Sequence, residues 1–415
     1  MTITAFFSSA RPSVVRRLHD GPLGRYVDDY AVRLVEQGFS RVTARRTLRL
    51  TASLSRWLER RSFSVNQLDE AIIAQYQSVR ARTRPLGFGD SIALRRFLEW
   101  MREKRFCTTS APRSAPGPHQ QVREDYARYL AQDIGLSERT IEHYTDILEP
   151  FLRAQFGADG PNWLGLTGIQ IRKFFEQCAK HHSSHYLQRF RSALRSFLRY
   201  SQFRGATRLD LSNCIPRVNN PRLAGLPKSL SSEQLRRLLG SVDRNTAVGK
   251  RDYAILLSLA RLGLRANEIR TLELDDIDWQ NGLLSLNAKG GERPTMPLPP
   301  DVGKAIYEYL RRGRPRSQSR RVFLRHNAPH IGYSRSSGIS YIVKQAMVSA
   351  GIDLPYGAAH LLRHTLATDM LGRGSSLREI GQVLRHRRPN TTRIYAKVDV
   401  IALQSVALPW PEGVQ

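Results

Sequence analysis

Seven residues toward the carboxyl end of the sequence carry chemistry in a readable order. Arg265 and Glu268 are three apart and share a face if the segment is helical. Lys289 stands at the tip of a glycine turn, Ala288-Lys289-Gly290-Gly291, and His360 and Arg363 are again three apart. His386 lies in the basic run Leu384-Arg385-His386-Arg387-Arg388, and Tyr395 follows nine residues later. Phosphodiester transfer without a metal needs such a set. Its pentavalent transition state gathers negative charge on the nonbridging oxygens. Two arginines can clamp those oxygens, each donor contributing roughly 3 kcal/mol. A histidine can add a hydrogen bond or take the nucleophile's proton. A lysine can protonate the departing 5′ oxygen, and a tyrosine hydroxyl can attack and hold the strand covalently.

Each signal also has a plainer reading. A helix arginine is commonly solvated surface, a lysine in a glycine turn is commonly solvated, and a lone tyrosine commonly packs. His360 and His364 are four apart, but Leu361 stands where an H-E-x-x-H zinc motif needs glutamate. His181, His182 and His185 have neither carboxylate nor cysteine beside them. The expected metal content is therefore none. No G-x-x-x-x-G-K-[ST] loop supports ATP hydrolysis.

The elements that must carry these residues follow a second linker, residues 216–228, which holds three prolines. Ser231 and Gln234 are spaced as a capping box. Asp252 to Leu262 reads as a buried helix, and Gly263 to Ile269 starts another. Gly282 to Asn287, the turn 288–292 and Arg293 to Leu298 read as a hairpin. Helices are expected from Val302, Ser340 and His360, then over Leu377 to Leu384. A loop follows from Arg385 to Asn390, then a short helix bearing Tyr395. This is a mostly α domain with a small sheet.

The first half repeats itself. Asp29-Tyr30-Ala31 with Leu34 matches Asp125-Tyr126-Ala127 with Leu130, and Gly38 to Thr43 matches Gly135 to Thr140. Ser40 and Ser137 are candidate N-caps. The copies end in Ala93-Leu94-Arg95-Arg96-Phe97-Leu98 and Ala193-Leu194-Arg195-Ser196-Phe197-Leu198. The apolar residues fall at helical spacing, so each copy is expected to be a small helical bundle. The arginines between them are the candidates for phosphate contact: Arg41, Arg45, Arg46 and Arg49 in the first, Arg189, Arg191 and Arg195 in the second. Two bundles packed together as a scaffold is the alternative.

The chain has 415 residues and a formal net charge of +29, which points to a polyanionic partner, nucleic acid first. The surplus is spread: 20 basic against 10 acidic residues over 1–106, 17 against 10 over 107–228, and 28 against 16 over 229–415. A basic tail is thereby excluded. No long apolar run suggests a membrane span. The three cysteines are far apart, and the start does not read as a secretory signal, so a cytoplasmic, nucleoid-associated setting is expected.

Taken in order, the residues resemble the tyrosine recombinases, the phage-integrase family. Gly263-Leu264-Arg265-Ala266-Asn267-Glu268 is similar to the family's first-arginine box. Lys289 falls at its β-hairpin position, and His360-Leu361-Leu362-Arg363-His364-Thr365 is similar to its H-x-x-R-H box. Leu384-Arg385-His386 with Thr391-Thr392-Arg393-Ile394-Tyr395 is similar to its last segment. The resemblance implies that Arg265, His360, Arg363 and His386 surround a scissile phosphate. It makes Lys289 the general acid, Glu268 a supporting acid and Tyr395 the nucleophile of a 3′-phosphotyrosine. No cofactor is implied.

The partners it implies are double-stranded DNA and further copies of the chain, in a tetramer on two sites, with related recombinases as additional partners. The expected fold is mainly α with a small C-terminal sheet. Its parts are an extra helical domain over 1–106, a linker over 107–120 and a core-binding bundle over 121–215. A catalytic domain follows over 229–400, then a tail over 401–415 that docks on a neighbouring protomer. A relaxing topoisomerase of the tyrosine type and a non-catalytic accessory subunit are the alternatives. Arg385 departs from the family, which most often has glycine before this histidine.

Overall fold

A computed structural model describes residues 6–7, 12–83, 85, 87, 89–107, 118–157, 163, 166–218, 228–287, 293–353, 359–386 and 391–398. The chain divides into two compact units: Met1–Thr109 together with Leu226–Gln415, and Ser110–Gly225. The first bundle is thus grouped with the C-terminal part, which its place in the sequence does not suggest. Lys289, most of both expected linkers and the whole 401–415 tail lie outside the described residues.

The first bundle comprises α1 (Pro12–Arg16), α2 (Val27–Glu36), α3 (Arg41–Arg60), α4 (Glu70–Thr83) and α5 (Asp90–Glu103). Its core sets Tyr30 against Phe97 and Trp100, with Leu48, Leu54 and Leu58 buried from α3. The second comprises α6 (Pro118–Gln132), α7 (Glu138–Gln155), α8 (Gly168–His181) and α9 (Ser184–Phe203). Tyr126 meets Phe197 there as Tyr30 meets Phe97 in the first, edge to face in both. The duplication extends only in part to the caps, since the Ser40 hydroxyl accepts from the Thr43 N–H at 3.3 Å while the Ser137 hydroxyl accepts from no backbone N–H of α7. Ser40 and Ser137 precede α3 and α7, with hydroxyls 3.0 and 2.9 Å from those of Thr43 and Thr140.

The C-terminal part begins with α10 (Ser232–Gly240), opened by the expected Ser231–Gln234 capping box. Next is α11 (Ala247–Leu262), buried on nearly every side, then the short α12 (Ala266–Thr271). Three strands form an antiparallel sheet in the order β1 (Ile277–Asp278), β2 (Leu283–Ser285), β3 (Thr295–Pro297), with Leu284 facing Met296. The hairpin falls where the double glycine predicts it, and β1 is an addition. Then come α13 (Pro300–Arg312), α14 (Ser337–Ser349), α15 (Ala359–Gly372), α16 (Leu377–Val383) and a 3₁₀ turn, Arg393–Val398. Leu256, Leu259, Ile306, Tyr309, Val343 and Leu362 join in one core. A smaller apolar cluster joins Ala367, Leu371, Ile380 and Leu384 to Tyr395.

Among the described residues, a backbone hydrogen bond ties the first bundle to the C-terminal part. The His330 N–H donates to the Gln37 carbonyl at 3.0 Å. Gly38 leaves room for the His330 ring, since a Cβ there would stand 2.2 Å from Nδ1.

Candidate active site

The site is assembled where three helix ends meet. At the end of α11, Gly263 takes φ +56°, and a Cβ there would come within 2.7 Å of Leu384 and 3.0 Å of Leu366. Glycine alone turns the chain here without strain or collision. The turn delivers Arg265 to the start of α12. Its backbone N–H donates to Oε2 of Glu268 at 2.8 Å, and its Nη1 donates to Oε1 at 2.7 Å. Nη2 reaches across to the Arg385 carbonyl at 3.2 Å.

Arg363 lies inside α15 and is 4% exposed. Its Nη1 donates to the Gly263 carbonyl and its Nη2 to the Leu384 carbonyl. One guanidinium thereby ties together the segments that carry Arg265 and His386. A guanidinium has five N–H donors, so three remain for an anion. His386 sits two residues beyond the α16 cap, with Nδ1 2.8 Å from the Thr392 hydroxyl. Thr392 in turn accepts from the Tyr395 N–H through its carbonyl. Tyr395 is 1% exposed, and its hydroxyl lies 2.8 Å from Nδ1 of His364.

Positive groups crowd this site and push one another's pKa values down. Burial and the charges of Arg265 and Arg385 lower Arg363 to about 10. Burial, Arg363 and Arg265 lower His386 to about 4. His360, open to solvent at its outer edge, is lowered by partial desolvation and by the same two arginines. His364 is lowered by burial, His360 and Arg363. Burial alone would raise Glu268, but the Arg265 N–H and the charges of Arg385 and Arg265 outweigh it and hold it ionised. Burial raises the Tyr395 phenol, with Arg363 opposing. Crowded cations with neutral histidines between them form a field that an entering phosphate would relieve.

The structure therefore gathers Arg265, Glu268, His360, Arg363, His386 and Tyr395, all drawn from the sequence. Residues 354–358 and 387–390 beside them lie outside the described residues, as does Lys289. Two neighbours join them that sequence alone does not mark as site residues. His364 closes the H-x-x-R-H resemblance, but the sequence gives it no role of its own; its place one residue after Arg363 is the visible signal. Arg385 reads only as a departure from the family pattern.

Residues 228–400 match the phage integrase family, and residues 124–205 match the phage integrase N-terminal SAM-like domain. A putative integrase/recombinase of Sinorhizobium fredii, y4rA, is 38% identical over 414 residues, covering 100% of this chain and 99% of the relative. The chain belongs to the phage integrase family. It is a site-specific tyrosine recombinase. The tyrosine recombinase XerD of Listeria monocytogenes is 32% identical, covering 68% of this recombinase and 96% of the relative. In fold, the recombinase is similar to the XerH site-specific recombinase in a post-cleavage complex with a palindromic difH substrate. The TM-score is 0.57 at 19% identity, covering 72% of this chain and 98% of that one. A lambda integrase dimer bound to a COC′ core site gives 0.52 at 15% identity, covering 70% and 98%.

The arginines of the recombinase's bundles fall into unequal groups. Arg45, Arg46 and Arg49 line one groove together with Arg17, Arg56 and Arg80, which sequence alone does not single out. Arg41 is exposed outside its lining. Arg46 is partly spent on Asp90 at 2.7 Å, and Arg45 and Arg49 lean over the Phe7 ring. In the second bundle Arg189 lies against the His143 ring, 2.8 Å away. Arg191 and Arg195 are half-buried. The two copies also differ in sign. Where α3 presents Arg41, Arg45 and Arg49, the matching positions of α7 hold Glu138, Glu142 and Asp146. A concavity between α6 and α7 is lined by Glu124, Glu138 and Glu142 beside Arg123.

Proposed function

We propose that this recombinase exchanges strands of double-stranded DNA, with Tyr395 as nucleophile. The Tyr395 oxygen attacks the scissile phosphorus, the bond to the 5′ oxygen breaks, and a 3′-phosphotyrosine forms. The phenol's proton passes to Nδ1 of His364, which is neutral because its pKa is lowered. The 5′ oxygen leaves with a proton from Lys289. Arg265, Arg363, His360 and His386 hold the nonbridging oxygens, and Glu268 holds Arg265. Rejoining runs the same steps backward, and the phosphate ester keeps the bond energy, so neither metal nor ATP takes part.

The single observation behind this reading is the Arg363 fork. It joins the Arg265 and His386 segments beside the cluster that buries Tyr395. The basic α3 groove of the first bundle and Arg189 of the second supply sequence-independent phosphate contacts. The reaction class is integration, excision or transposition of a mobile element, carried out in the cytoplasm by a tetramer on two DNA sites, with the 401–415 tail docking between copies.

The test is a nicked suicide substrate built from sequences flanking the gene, resolved on a denaturing gel. Wild-type chain should give a covalent protein–DNA band, and Tyr395→Phe should lose the band while still shifting the DNA. A band that persists in Tyr395→Phe overturns the assignment. Relaxation of supercoils without sequence preference would instead mark a topoisomerase.

A further inference from the structure

Arg385 holds a backbone conformation that arginine rarely takes. The helix α16 ends in two closing bonds, from the Arg385 N–H to the Gln382 carbonyl and from the His386 N–H to the Gly381 carbonyl, both at 2.9 Å. This pair of bonds needs a left-handed residue at the turn, and Arg385 supplies it with φ 53°. Glycine would do so without steric cost, and a side chain with a Cβ is strained there.

The side chain placed at that cost does something glycine could not. Nη2 of Arg385 donates to Oε2 of Glu268 at 3.1 Å, 117 residues away in the sequence. Nη1 donates to the Val383 carbonyl at 3.0 Å and lies 3.4 Å from the sulfur of Met296 on β3. The Arg385 carbonyl accepts from Nη2 of Arg265. A closed ring results: Arg265 grips Glu268, Glu268 grips Arg385, and Arg385 grips Arg265. The Arg385 and Glu268 side chains are only 14% and 5% exposed, so water competes little.

We propose that Arg385 is a positioning residue for strand cleavage. Its guanidinium, locked on Glu268, fastens the loop that carries His386 to the helix start that carries Arg265, so that both present their donors to one phosphate. With glycine in its place, α16 would still close, but the two segments would keep only the Arg265-to-carbonyl bond and the Arg363 fork. The ring would be open, and the Glu268 carboxylate that holds Arg265 would lose its anchor on the His386 loop. Displacements of about 1 Å in such groups cost on the order of 100-fold in rate. The proposal rests on the reading of Tyr395 and Arg265 as the reacting site.

The experiment uses the full chain, single-turnover cleavage of the nicked substrate, and three variants. Arg385→Gly and Arg385→Asn both suit the left-handed backbone, so both should fold, the relief of strain offsetting part of the lost ion pair with Glu268. Their DNA affinity should stay within about twofold, while the cleavage rate falls about 10- to 100-fold. Arg385→Lys, which keeps a cation for Glu268, should recover part of that loss. Because the Arg385 charge helps to keep Glu268 ionised, the acid limb of the pH–rate profile should move to higher pH in the Gly and Asn variants.

Cleavage by Arg385→Gly at the wild-type rate overturns the proposal. So does a loss of rate matched by an equal loss of DNA binding or folding in both neutral variants, which would make Arg385 structural only. Absence of a Tyr395-dependent adduct in wild type would instead defeat the underlying reading of the site.

Discussion

The Tyr395 hydroxyl lies 2.8 Å from Nδ1 of His364, inside the same apolar cluster that holds Leu371, Ile380 and Leu384. The phenol and its hydrogen-bond partner come from one chain, and burial disfavours the charged forms of both. A neutral imidazole facing a neutral phenol is the arrangement from which a proton can pass as the oxygen attacks.

His364→Ala should therefore slow adduct formation by roughly 100-fold at neutral pH while leaving DNA binding intact. Single-turnover cleavage and a gel shift on the same substrate measure the two effects separately. Equal loss of both would show that His364 merely packs.

Gly263→Ala should destabilise the chain by roughly 1–3 kcal/mol, because it adds a side chain at positive φ against Leu384 and Leu366. Denaturant unfolding measures this. Cleavage should fall as well, since the Gly263 carbonyl is one of the two that hold Arg363.

Acid should weaken the fold in two stages. His360, His364 and His386 have native pKa values below the ordinary 6.5, His386 at about 4. The unfolded chain then binds more protons than the native one, so their contribution is complete above pH 6.5 and drains away as the pH falls toward 4. Glu268 is shifted down from 4.5, so its contribution is present above that value and lost as the pH falls through its lower native pKa. Melting curves should decline from pH 7 to 4, and His386→Asn should flatten the upper part of the decline.

Double substitution of Arg45 and Arg49 by alanine should weaken DNA binding equally for target and random sequence. The slope of log affinity against log salt should drop by about two units, roughly 0.9 for each phosphate that is no longer neutralised. An unchanged slope would remove the α3 groove from the DNA path.

Much of the catalytic end is legible in the sequence because its chemistry depends on residue type and short spacing. Arg265 with Glu268, His360 with Arg363, and His386 ahead of Tyr395 are all readable from types and intervals. The buried helices and the hairpin are legible from apolar period and the double glycine, with ends shifted by a few residues. What stays hidden depends on long-range closure. Nothing local says that Arg385 meets Glu268, that Arg363 spends two donors on distant carbonyls, or that α5 supplies Asp90 to Arg46. The reversed charge of α3 and α7 is in plain view once the repeat is aligned, but the groove that Arg45 and Arg49 line is not.

The repeated bundle separates shape from affinity. Both copies bury the same tyrosine–phenylalanine pairing, so the interior settles the architecture and leaves the outer helix rows free to diverge. Exchanging Arg41, Arg45 and Arg49 on α3 for their α7 counterparts would invert what that copy attracts, at the cost of the Arg45 and Arg49 contacts with Phe7. One interior pairing thus serves two outer faces of opposite charge.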